Sequence, residues 1–262
     1  CASEQIVFTS GATESNNLAI KGAAWAHRER GNHIVTCVIE HKSVLDTCRR
    51  LENEGFRVTY LPVDQEGQVA PADVRRAIEP TTVLVSIMAA NNEIGVLQPV
   101  EEVGKICRER GVLFHSDATQ GVGKAPFHVS AMNVDLASLS AHKMYGPKGV
   151  GALYVRQRDP RVMLAPLIDG GGHERGMRSG TLAVTGIVGL GKACELARQE
   201  MGEESQRLAA LRDRLRDALC SRLDAVFLNG HPTARLAGNL NLSFGGVPAE
   251  ELMSAISEVA VS

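Results

Sequence analysis

The chain has 262 residues, 44% of them hydrophobic, and a formal net charge of −2 with lysine and arginine spread among aspartate and glutamate. That apolar content suffices for one large domain or two small ones. It argues against partners read by charge or by lipid: no basic tract or aromatic–basic interleaving suits nucleic acid, and no apolar run approaches the span of a membrane helix.

The elements alternate along the chain. Ile6-Val-Phe-Thr9 reads as a short strand and Glu14 to Arg30 as a helix. Ile34 to Ile39 is a strand, followed by a helix from about Ser43 to Glu54. Arg57-Val-Thr-Tyr-Leu61 is a strand, and Pro71 to Ile78 a helix opened by proline. Thr82 to Met88 is nearly all apolar, as expected of a strand buried on both faces. Val100 to Arg110 is helical, and Val112 to Ser116, Leu136 to Leu139 and Gly151 to Val155 are strands, the last in a hairpin with its neighbour. This repeated βα pattern predicts an α/β fold with a largely parallel central sheet. From Thr185 the pattern changes. Ile187 to Cys220 reads as one long charged helix with leucines at 208, 211, 215 and 219, followed by strand-like Ala225 to Leu228 and Asn239 to Phe244. The expected division is therefore residues 1–184 as a large domain and 185–262 as a connecting helix with part of a smaller one.

No charged-then-apolar leader opens the chain, so a cytoplasmic location is expected. The six cysteines (Cys1, Cys37, Cys48, Cys107, Cys194 and Cys220) form no Cys-x-x-Cys pair and do not group with histidines at zinc-like spacing, so no metal site is expected. They read as free thiols of a reducing compartment, with Cys37 buried in its apolar run.

In open α/β sheets, ligands bind outside the carboxyl ends of the strands. Five consecutive strand ends here carry chemistry. Ser10-Gly-Ala-Thr-Glu-Ser-Asn-Asn17 opens a helix, where free N–H groups suit a phosphate, although such residues more often serve as plain caps. Glu40-His41-Lys42, Asn91-Asn92-Glu93 and Asp117-Ala-Thr-Gln120 follow three further strands, and Ser138-Leu-Ser-Ala-His-Lys143-Met-Tyr-Gly-Pro-Lys-Gly149 closes the series. Alone, each His, Asn or Asp is usually a turn former. A lysine buried at the last of these ends would favour the neutral amine, which forms a Schiff base with an aldehyde. Together the set supplies what a pyridoxal phosphate site needs: a lysine for the aldehyde, a carboxylate for the ring nitrogen, a ring to stack and a helix N-terminus for the phosphate.

With Glu40-His-Lys-Ser-Val-Leu-Asp46, Asn91-Asn-Glu-Ile-Gly95 and Gly170-Gly-Gly-His-Glu-Arg-Gly-Met-Arg-Ser-Gly-Thr181 added, the chain resembles the cysteine desulfurases that serve iron–sulfur cluster assembly, within the class V, fold-type I pyridoxal phosphate enzymes. The resemblance runs from about Gln5 onward, and its motifs are specific as a set. It implies the fold-type I large domain with a mostly parallel sheet of the seven-stranded type. It implies Lys143 as the Schiff-base lysine and acid–base group, and Asp117 as partner of the pyridinium nitrogen. His41 would stack on the ring and move protons. Gln120 would bond the phenolic oxygen, and Asn92 would lie near that oxygen or the substrate carboxylate. Ala12, Thr13, Ser140 and His142 would hold the phosphate, and Thr181 would reach the phosphate of a neighbouring subunit in a homodimer.

The implied reaction takes L-cysteine to L-alanine and leaves sulfur as an enzyme persulfide for a scaffold or other acceptor protein. The resemblance also implies a nucleophilic cysteine and a carboxylate-binding arginine beyond Ser262, and an arm and first helices before Cys1. The chain is therefore expected to be an internal piece of a longer enzyme, competent for cofactor but not for desulfuration by that route, with apolar surface exposed along Leu240, Leu242 and Phe244. Two rivals are a different class V activity (an aminotransferase or selenocysteine lyase) and a non-catalytic module that docks on sulfur-acceptor proteins.

Overall fold

A computed structural model describes residues 2–261. Nine strands and six α-helices follow one another as β1 (Ile6–Thr9), α1 (Ala12–Ala26), β2 (His33–Cys37), α2 (Lys42–Glu52), β3 (Arg57–Leu61), α3 (Pro71–Ala77), β4 (Thr82–Ser86), α4 (Val100–Arg110), β5 (Leu113–Asp117), β6 (Leu136–Ser140), β7 (Gly151–Val155), α5 (Val184–Cys220), β8 (Val226–Leu228), β9 (Leu242–Phe244) and α6 (Ala249–Ala255). The first seven strands form one sheet in the order β1-β7-β6-β5-β4-β2-β3. β7 runs antiparallel to both neighbours, and the other six strands run parallel to one another.

Side chains alternate across each strand, so successive residues serve opposite faces. Ile34 and Leu84 pack with α1 and α2 residues such as Leu18, Ile20, Val44 and Leu51, all fully buried. Their neighbours Val35 and Val85 join Val74, Val103 and Phe114 on the other face, under α3 and α4. Helices cover both faces, which is why β2, β4 and β5 are buried throughout, and why β2 and β4 read in sequence as apolar runs rather than alternating ones. Cys37 lies in the second of these cores, as expected.

Several boundaries differ from the sequence reading. α1 begins at Ala12 rather than Glu14, because Gly11 takes a positive φ (152°) that turns the chain directly from strand into helix. It ends at Ala26, after which residues 27–30 form turns. β4 stops at Ser86 as a regular strand, yet Ile87 and Ala89 still donate to the carbonyls of His115 and Asp117, so the apolar run to Met88 stays paired. α6 was not anticipated.

Beyond residue 184, α5 runs for 37 residues, and β8 and β9 form a separate antiparallel ribbon. Leu190 and Ala193 seat the first part of α5 on Met144, Val150 and Ala152. The expected leucine stripe is only half realised: Leu208 and Leu219 are half-buried, whereas Leu211 and Leu215 are exposed. The expected exposure of Leu240, Leu242 and Phe244 is also corrected. All three are half-buried, and the exposed apolar side chain of this ribbon is Phe227.

Candidate active site

Four parallel strands (β1, β2, β5 and β6) bring their carboxyl ends, with the turn after β4, to one cavity of about 470 Å³. Nine of the ten residues singled out from sequence line it: Ala12, Thr13, His41, Asn92, Asp117, Gln120, Ser140, His142 and Lys143. Thr181 does not; it is exposed, just after the glycine-rich loop.

The floor is built on β5. One Asp117 oxygen accepts the backbone N–H of Thr119 at 3.0 Å, and the other accepts Asn16 Nδ2 at 2.7 Å. Asn16 also donates to Ser43 Oγ at 2.8 Å, and Ser43 Oγ lies 2.8 Å from His41 Nδ1. The Ser43 backbone N–H donates to the same ring nitrogen at 3.1 Å, so His41 caps α2 through Nδ1. A ring nitrogen that accepts an N–H carries no proton, so in the neutral imidazole the proton sits on Nε2. A continuous chain therefore runs from His41 through Ser43 and Asn16 to Asp117.

Asn16 and Ser43 are both buried, and sequence reasoning assigned neither a role. The available signal was a polar residue on the apolar face of α1, three and four positions before buried Ala19 and Ile20.

Beneath Asp117, His115 is wholly buried between Ser86 Oγ (2.8 Å) and Ser138 Oγ (3.0 Å). Burial pushes its pKa down to about 4 against the opposing pull of Asp117, so it is a neutral strap across β4, β5 and β6 at neutral pH. Glu40 is buried behind His41. Its Oε1 accepts the Met88 backbone N–H at 2.7 Å and the Cys37 thiol at 3.2 Å. Its Oε2 has no hydrogen-bond partner among the described residues. Burial first, reinforced by the charge of Asp117, raises its pKa to about 8.

At the opposite wall, α1 starts without a side-chain cap, which leaves the first-turn N–H groups of Ala12 and Thr13 free beside the cavity. Ser140 Oγ lies 2.8 Å from His142 Nδ1, and Lys148 adds a cation. Burial and the charges of Lys143 and Lys148 push the His142 pKa down. Lys143 sits in a short 3-10 turn, Ala141–Met144, directly after β6. It is half-buried on the wall of an open cavity rather than enclosed as the sequence suggested.

The glycine-rich loop is pinned to the same end of the molecule. Arg178 Nε pairs with Glu14 at 2.8 Å, and Glu14 Oε2 accepts the Ser10 N–H. Burial opposes ionisation of Glu14, but the Arg178 and Ser10 hydrogen bonds prevail and hold its carboxyl below the ordinary value. Glu174 accepts the Phe8 N–H at 3.0 Å and Arg175 donates to the Ile6 carbonyl at 2.8 Å. These two side chains occupy the otherwise free edge of β1.

A carboxylate on the floor, an imidazole beside it, an amine at the far wall and a set of N–H and hydroxyl donors match the demands of pyridoxal phosphate. The uncapped start of α1 is the local observation that fits a phosphate. Fold and cavity thus define the fold-type I class of pyridoxal phosphate enzymes. The family model described as "Aminotransferase class-V" matches residues 1–262, and the chain belongs to that family. It is 59% identical over 261 residues to "Cysteine desulfurase IscS" of Anaeromyxobacter dehalogenans (strain 2CP-C), covering 100% of this chain and 64% of that protein. The chain thus spans a little under two thirds of the length of such relatives. Among solved structures, a "NIFS-LIKE PROTEIN" superposes with a TM-score of 0.93 at 42% identity, covering 98% of this chain and 70% of that one. "SspA in complex with cysteine" superposes at 0.83 with 41% identity, covering 99% and 71%.

Among the described residues no cysteine lines the cavity. Cys37, Cys48 and Cys107 are buried, with thiols pushed up by burial, Cys48 to about 12. Cys194 and Cys220 are exposed on α5. Cys1 lies outside the described residues. No described helix is long and apolar enough to cross a membrane, and the described residues hold no metal-ligating cluster of three or more His, Cys, Asp or Glu.

Proposed function

We propose that this chain carries the pyridoxal phosphate site of a cysteine desulfurase, in which L-cysteine gives L-alanine and sulfur passes to a protein acceptor of the iron–sulfur assembly type. The observation that carries the reading is the convergence of nine motif residues on one cavity. It is supported by similarity along the whole of this chain to a relative named for this activity and by a structural neighbour described with cysteine.

Bound pyridoxal phosphate would supply an electron sink for the substrate α-carbon. The chain's residues do the rest. Lys143 would be the amine that holds the aldehyde and the group that moves the proton at the substrate α-carbon. The Asp117 carboxylate would accept the hydrogen bond of the ring nitrogen, and Asn16 and Thr119 keep that carboxylate in place. His41 would stack on the ring with its Nδ1 committed to α2, which leaves Nε2 as the nitrogen able to move a proton. Gln120 would bond the phenolic oxygen, and Asn92 would lie near that oxygen or the substrate carboxylate. Ala12 and Thr13 offer N–H groups, and Ser140 and His142 side-chain donors, to the phosphate.

A homodimer belongs to the same reading. Exposed Thr181 would meet the phosphate held by a partner subunit, and the Arg178–Glu14 pair would fix the loop that carries it. Residues 1–184 would form the cofactor domain and 185–262 the connecting helix and smaller domain, in a protein of the cytoplasm.

The test is the absorbance spectrum of the purified chain with pyridoxal phosphate, followed by product analysis with L-cysteine. A yellow band that borohydride bleaches, lost in Lys143→Ala, is expected, and with an added small thiol to accept the sulfur as a persulfide, alanine and no keto acid. A chain that stays colourless would sink the cofactor assignment. A keto acid product would sink desulfuration in favour of transamination.

A further inference from the structure

Lys124 was not among the residues selected from the motifs, yet it bonds Gln120 of the cavity wall from behind. It follows β5 by one turn, and its Nζ donates to Gln120 Oε1 at 2.7 Å. It is half-buried, and its backbone carbonyl accepts Ser205 Oγ of α5 at 3.3 Å. Beyond it lies a second hollow of about 180 Å³, which it shares with Gln120, Asn92, Tyr145 and Glu204. A primary amide has two faces of opposite character: the oxygen accepts and the nitrogen donates. An amine N–H can satisfy only the oxygen.

We propose that Lys124 is a positioning residue: by holding the carbonyl oxygen of Gln120, it turns the amide N–H groups toward the cavity and makes that wall a donor for an oxyanion. The acceptor it selects is a phenolate-type oxygen, so the inference rests on the reading of Gln120 given above. Burial and the neighbouring Lys143 charge favour the neutral amine of Lys124, and Glu204 opposes them. The ammonium carries three N–H donors and no lone pair, so it can take only the carbonyl oxygen of the amide.

The measurement is titration of this chain with pyridoxal phosphate, read as the dissociation constant and the position of the visible band, with circular dichroism to confirm folding. Gln120→Met and Lys124→Met are each expected to weaken binding about tenfold, the size of one net hydrogen bond, and to displace the band in the same direction. The double variant is expected to be no worse than either single one, and Lys124→Arg to restore the parent band. If Lys124→Met does not fold, Lys124→Glu decides. A carboxylate would take the amide nitrogen, present the carbonyl to the cavity and weaken binding more than tenfold. A Lys124→Met or Lys124→Glu protein identical to the parent, beside a displaced Gln120→Met, overturns the role of Lys124 alone. Additive losses in the double variant overturn it too. A Gln120→Met protein identical to the parent removes the reading of Gln120 and the inference with it.

Discussion

Glu40 shows how a single buried side chain ties stability to the site. Its carboxyl has one satisfied oxygen and one without a hydrogen-bond partner among the described residues, and it sits close enough to Asp117 to feel that charge. Neutral Glu40 leaves the cavity floor with one negative charge, on Asp117. Its folded pKa of about 8 lies above the ordinary value of 4.5, so the folded state holds a proton that the unfolded chain has released across that interval. The stabilising contribution is full below pH 4.5 and is lost as pH rises through 8. Glu40→Gln keeps the acceptor for Met88 without the titration. The variant is therefore expected to gain on the parent between pH 4.5 and 8 by on the order of 2–4 kcal/mol, measured by urea unfolding across that range. A constant difference would exclude a titrating Glu40. His115 works in the opposite direction below pH 6.5, being neutral when folded, but it is common to both proteins and cancels in the comparison.

At the scale of elements, the site depends on how closely β7 and β6 approach the turn between β1 and α1. A Cβ on Gly151 would lie 2.5 Å from the Leu139 carbonyl oxygen and 2.7 Å from Gly11 Cα, backbone atoms with nowhere to go. Gly151→Ala is expected to push the Ser10–Thr13 turn away from Ser140. It should cost about 1–3 kcal/mol in thermal unfolding and reduce pyridoxal phosphate retention. An unchanged melting temperature with full retention would show that the turn adjusts freely. The strands and helices themselves were largely legible in sequence. β4 opens an apolar run too long for a one-faced strand, and α3 carries its proline at the first position. Asn16 was less legible, because nothing local says that a polar residue on an apolar helix face meets an aspartate 101 positions away.

For the whole molecule, the segment after α5 is coupled to the site through one loop. Val96 bridges to Arg235, Leu97 donates to the Ala234 carbonyl and Leu236 to the Gly95 carbonyl. Arg235 is buried and donates to the carbonyls of Ile94, Asn229 and His231 and to Asn239 Oδ1. The loop held in this way also carries Asn92 of the cavity. Removing the guanidinium strands several carbonyls, at roughly 1–3 kcal/mol each where no water replaces it. Arg235→Met is therefore expected to raise amide hydrogen exchange in residues 91–97 and 226–244 together, with β4 and β5 unchanged. Exchange that rises in the second segment alone would separate it from the site.

Sequence by itself determined the alternation of strands and helices, the glycine, histidine, asparagine, aspartate and lysine at successive strand ends, and hence the family. These follow from local periodicity and from side-chain chemistry carried in short motifs. Tertiary structure alone decided that nine of those residues share one cavity while Thr181 stands outside it, that Asn16 and Ser43 wire His41 to Asp117, and that Lys124 faces Gln120. It also decided that Lys143 borders an open cavity and that Glu40 is the carboxyl held neutral. Burial and side-chain direction depend on what other elements cover a position, and residues far apart in the chain supply that cover.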